Sequence, residues 1–72
     1  MNNAYKLFIT TKKKNMTNTH CVTFPLNQKG QHEAEDLFEK MKEEQTVAKL
    51  SLCRFDGKGL NEFKRFKRGA EE

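Results

Sequence analysis

Between Gly30 and Leu52 the apolar period of this chain changes. Ala34, Leu37, Phe38 and Met41 recur at the spacing of one helical face, with charged residues between them. Ala48, Leu50 and Leu52 then alternate with Lys49, Ser51 and Cys53, the period of a half-buried strand. A helix that hands over to a strand within a few residues must fold back over a sheet. That constraint organises the reading of every other segment.

Upstream, Ala4 to Thr11 reads as a first strand. Tyr5, Leu7 and Ile9 form a uniformly apolar set for the helix side, and Phe8 lies on the opposite face beside Lys6. Thr11 to Asn18 reads as a loop, because three adjacent lysines, Lys12, Lys13 and Lys14, repel one another in a core and are comfortable at a hairpin tip. His20 to Phe24 is the second strand, with Val22 and Phe24 on one face and Cys21 and Thr23 on the other. Pro25 cannot donate to a ladder, so this strand ends there or sits at an edge.

The helix follows, capped by Asn27 or Gly30. Glu33, Glu35 and Asp36 are expected in its first turns, where the helix dipole favours acids, and Asp36–Lys40 and Glu39–Lys42 have the spacing of surface ion pairs. Val47 to Phe55 is the third strand. Asp56-Gly57-Lys58-Gly59 is a turn, and Leu60 to Phe66 a fourth strand, preferred to a short helix because the turn signal is strong. Regular pairing from this turn sets Phe55 opposite Leu60, Cys53 opposite Glu62, Leu52 opposite Phe63 and Lys49 opposite Phe66. Phe63 is then core, and Phe8, Phe55, Leu60 and Phe66 share the far face with Lys6, Lys49 and Lys64.

The predicted fold class is α+β: a ββαββ chain, 1–72 as a single domain, with a small antiparallel sheet in the order 2-1-3-4 and one amphipathic helix on one face. Gly69 to Glu72 is expected to be a frayed tail. With 72 residues, 35% of them hydrophobic and 33% charged, the chain builds one thin core of roughly 3–5 kcal/mol and has no room for a deep cleft.

Composition narrows the function classes. The opening residues lack the pattern of a secretory leader, so none is expected; no apolar run approaches a membrane span, and two cysteines are too few for a secreted disulfide scaffold. The expected setting is the cytoplasm, with reduced thiols and no membrane. His20, Cys21, His32 and Cys53 lack any zinc spacing, and Asp-Gly-Lys-Gly is a turn and not a phosphate loop. No catalytic site, metal, cofactor or small-molecule substrate is therefore expected. The pattern is that of many very small intracellular ββαββ proteins, some encoded by phages and mobile elements, that act by binding; this is an analogy of fold.

Charge is segregated. From Gln31 to Thr46 six acids stand against two lysines, a balance of −4. With a net charge of +4 overall, the remainder carries +8. One helix covers one side of the sheet, so the far face is left open, and open apolar faces are interfaces. The expected function is non-enzymatic binding by occupancy, masking or inhibiting a protein partner or a second copy. The candidate contacts are Phe8, Lys49, Phe55, Lys64, Arg65, Phe66, Lys67 and Arg68. The alternative is direct nucleic-acid binding by the same patch with Lys12, Lys13 and Lys14, since aromatics stack on bases while lysines hold phosphates.

Overall fold

A computed structural model of the chain describes residues 3–68, so the expected tail, Gly69 to Glu72, lies outside the described residues. The elements run β1 (Ala4–Lys13), β2 (Met16–Pro25), α1 (Gln28–Lys42), β3 (Val47–Phe55) and β4 (Leu60–Lys67). The four strands form one antiparallel sheet in the order β2-β1-β3-β4, and α1 crosses between the two hairpins. Architecture and strand order are those expected from the sequence.

The helix begins earlier than Gly30. Asn27 is the N-cap, and its side chain accepts a hydrogen bond from Gly30 N at 2.7 Å. Glu33, Glu35 and Asp36 therefore fall beyond the first turn, which holds no acid. Glu39 and Lys42 pair at 3.5 Å, and Lys64 takes the other oxygen of Glu39 at 3.2 Å. Ala34 and Phe38 are buried, while Leu37 and Met41 pack at the margin. Beneath them lie Tyr5, Leu7 and Ile9 of β1 with Val47, Leu50 and Leu52 of β3.

Two features depart from expectation. The first hairpin has no eight-residue loop. Its strands run on to a two-residue turn at Lys14-Asn15, closed by the pair Lys13↔Met16, and Lys14 takes a left-handed φ of 56°. Lys12 and Lys13 thus belong to β1. β-branched Thr10, Thr11, Thr17 and Thr19 sustain the ladder, and the hydroxyls of Thr10 and Thr19 meet across it at 3.2 Å.

The second departure is a β-bulge. Phe55↔Leu60 and Cys53↔Glu62 pair as expected, but Leu52 then faces Lys64, Leu50 faces Phe66 and Lys49 faces Lys67, leaving Phe63 as the extra residue. Regular pairing would set Arg65 opposite Leu50, beneath the helix, where an unpaired guanidinium is costly. The bulge puts Phe66 there instead. Phe63 is consequently not core: it is 46% exposed, its ring edge-on to Tyr5 at 5.9 Å.

Candidate interaction surface

The face of the sheet opposite α1 is uncovered. Alternation along each strand assigns its residues. β1 contributes Ala4, Lys6, Phe8, Thr10 and Lys12, and β2 contributes Thr17, Thr19, Cys21 and Thr23. From β3 come Lys49, Ser51, Cys53 and Phe55, and from β4 come Leu60, Glu62, Arg65 and Lys67.

Of the residues predicted to form the interface, Phe8, Lys49, Phe55, Arg65 and Lys67 lie on this face. Phe8 is half-buried between Cys21 and Ser51. Phe55, also half-buried, stands at the other end of the face, flanked by Ala4 and Leu60. Lys64 and Phe66 are corrected to the helix side by the bulge. Lys64 Nζ lies 4.9 Å from the centroid of the Phe38 ring while it pairs with Glu39. Phe66 packs against the core, with Lys42 Nζ 5.8 Å from its ring centroid.

Arg68, expected at the basic rim, is turned inward along the chain. Its Nε donates to Val47 O at 2.8 Å, its Nη2 donates to Glu44 O at 3.0 Å and to Lys42 O, and the guanidinium sits 5.2 Å from the Phe66 centroid. It satisfies carbonyls at the C-terminal end of α1 and the start of β3, where helix carbonyls lack internal partners. Lys12, Lys13 and Lys14 ride on the β1–β2 arm, which rises from the same end of the sheet as Lys49 and Lys67.

The electrostatics of the open face follow from this placement. Lys6, Lys12, Lys49, Arg65 and Lys67 stand against a single acid, Glu62. Glu62 accepts from Arg65 Nε at 2.9 Å and Nη2 at 2.6 Å, and from the Ser51 hydroxyl. The Arg65 hydrogen bond, followed by that of Ser51, holds the Glu62 carboxyl below its ordinary pKa. In a regular strand, residues three apart point to opposite faces. Glu62 and Arg65 meet because bulged Phe63 lies between them, so this pairing has no signature in the sequence. Lys49 and Lys67 are directly opposite each other, and among the described residues neither forms an ion pair.

Both cysteines are free. Cys21 is exposed and Cys53 buried, and β1 runs between their strands. Among the described residues no group of three or more His, Cys, Asp or Glu side chains is placed to hold a metal ion, and no helix is long and apolar enough to cross a membrane. Compared with protein-family models, with curated proteins and with solved structures, the chain finds no match.

Proposed function

We propose that the chain is a non-enzymatic binding protein that acts by occupancy, masking or inhibiting an acidic macromolecular partner through the open sheet face and its basic rim. The observation that carries this reading is the Lys49–Lys67 pair. Like charges facing each other across a ladder cost roughly 0.2–1 kcal/mol, and here no acid in register offsets them. A carboxylate- or phosphate-bearing surface laid on the face turns that repulsion into attraction. The acidic helix on the opposite side makes the molecule polar and orients its approach to such a surface. A cytoplasmic setting accords with the two free thiols.

Direct binding of single-stranded nucleic acid is the second reading. Phe8 and Phe55, half-buried on the same face among Lys6, Lys49 and Arg65, support it. Stacking on an aromatic contributes about 1–3 kcal/mol per base.

Capture from an extract of the native host, with and without nuclease, separates the two. The wild-type chain and a Lys49→Glu/Lys67→Glu variant serve as baits. A partner retained after nuclease and lost with the variant supports the acidic protein. One lost after nuclease supports nucleic acid, and labelled single strands should then bind with an affinity that falls steeply with salt. Capture indifferent to the variant overturns both.

A further inference from the structure

The two edges of the sheet are built differently. β4 carries Lys64, Arg65 and Lys67 and is bent by the bulge at Phe63. Cations and bulges are the devices that keep an edge from pairing with another strand. β2 has none of them. From Met16 to Pro25 there is no lysine, arginine, aspartate or glutamate, and its register with β1 is unbroken over ten residues. At about 3.4 Å per residue that is roughly 34 Å of open edge, close to the 37 Å long axis of the molecule. β3 accompanies β1 only as far as Thr11 and Lys12, so the tip of the β1–β2 arm is a two-stranded ribbon; the residues from Lys12 to Cys21 are exposed, and ribbons of two strands are marginal in water without a third.

We infer that β2 pairs with β2 of a second copy of this chain, extending two four-stranded sheets into one of eight. The occupant follows from charge. A neutral strand meets its own copy without repulsion, whereas β4 would bring three cations, Lys64, Arg65 and Lys67, and a single acid, Glu62, to its own copy. The backbone also fixes which groups are free. The Lys12 N–H, opposite Thr17, bonds to Thr46 O, on the side away from β2. Antiparallel ladders alternate, so even-numbered residues of β2 bond to β1, while Thr17, Thr19, Cys21 and Thr23 direct N–H and C=O outward. Pro25 has the same parity, and its missing donor costs the β1 ladder nothing.

A continuous sheet must pair open-face residues with open-face residues, so a two-fold axis perpendicular to the sheet passes beside a single residue. Centring on His20 joins Thr17 to Thr23 and Thr19 to Cys21 of the second copy, and uses all four outward residues. Centring on Cys21 sets Thr17 against Pro25, which has no N–H and whose carbonyl already accepts from Asn27 N at 3.0 Å. The His20-centred register is therefore the one that satisfies the edge. Both helices then lie on one side, and the two open faces join into one basic platform.

In this register the two His20 residues form a non-hydrogen-bonded pair, with Cα atoms about 4.5 Å apart, within reach of a disulfide. The test is a His20→Cys chain with Cys21→Ser. Under mild oxidation it should become a covalent dimer, while wild-type Cys21, facing Thr19 of its neighbour, cross-links far less. Sedimentation of the reduced wild-type chain should give twice the mass of one chain. Thr19→Pro, which removes an outward donor and leaves the β1 ladder intact, should halve it with an unchanged circular dichroism spectrum. Thr19→Lys/Thr23→Lys should do the same by charge if the proline variant fails to fold. A wild-type chain that stays single at millimolar concentration overturns the inference. So does a dimer untouched by the edge variants, or one that His20→Cys cannot lock.

Discussion

Gly30 packs against Pro25 with no room for a side chain: a Cβ on Gly30 would lie 1.8 Å from the Pro25 carbonyl oxygen, 2.8 Å from its carbon and 3.1 Å from its ring Cγ. The first turn of α1 is thereby seated against the end of β2, which sets where the helix enters over the sheet. Glycine in a helix is ordinarily a weakness, and alanine is better by about 1 kcal/mol. Here the close approach outweighs propensity. Gly30→Ala is expected to destabilise by about 1–3 kcal/mol, as overpacking does, a large share of the stability of so small a domain. The midpoint of urea unfolding checks it, and an unchanged or raised midpoint would show that the contact relaxes freely.

The helix face is not uniform in its contribution. Phe38 is fully buried over Leu7, Leu50 and Leu52, whereas Leu37 is only partly covered. Phe38→Ala is expected to cost about 3–5 kcal/mol and to leave a chain that barely folds; Leu37→Ala should cost clearly less. Paired denaturation curves decide the order, and equal losses would contradict the packing described.

Arg68 closes the junction between α1 and β3 with one guanidinium serving three carbonyls. Lysine keeps the charge but lacks the planar fork. Arg68→Lys should lower stability by about 1–2 kcal/mol, and the Val47 and Ala48 amides should exchange faster with solvent. Exchange identical to the wild type would mean that the fork adds nothing beyond its charge.

Two carboxyls connect stability to pH. The Lys64 hydrogen bond, assisted by Lys42, lowers the pKa of Glu39, and the Arg65 and Ser51 hydrogen bonds lower that of Glu62. An acid whose folded pKa is depressed contributes stability that is fully present above its ordinary value, 4.5 here, and is lost as pH falls through the folded value. Both groups are exposed and salt-screened, so the effect is small at neutral pH. A Glu39→Gln/Glu62→Gln variant should therefore lose less stability than the wild type as pH falls through and below 4.5. Parallel pH profiles for the two proteins would refute this assignment.

The residues that carried the fold in the sequence are those whose partners are local. The 3.6-residue period of Ala34, Leu37, Phe38 and Met41 and the alternation of Tyr5, Leu7 and Ile9 placed the helix, its face and the first strand; the strand order came from the handedness rule for a helix crossing between two hairpins. The errors are non-local. The lysine run looked like a loop because nothing in it shows that Thr17 and Thr19 will pair with Thr10 and Lys12. The bulge occurs at a phenylalanine, without glycine or proline to announce it. Its cause, keeping Arg65 away from Leu50, exists only once β3 and the helix are in place. That one offset misassigned Lys64 and Phe66, while Phe8, Lys49 and Phe55, on strands whose register needed no turn geometry, were placed correctly.

The bulge also gives β4 one residue of slack. Removing Phe63 by an in-frame codon loss leaves Glu62 opposite Cys53 and Lys64 opposite Leu52, so both flanking ladders keep their partners. Losing Lys64 instead would either reproduce the same alignment with Phe63 in its place or send Arg65 and everything after it to the wrong side of the sheet. A single-residue deletion elsewhere in a strand turns every later side chain to the other face; at Phe63 the register on both sides would survive it.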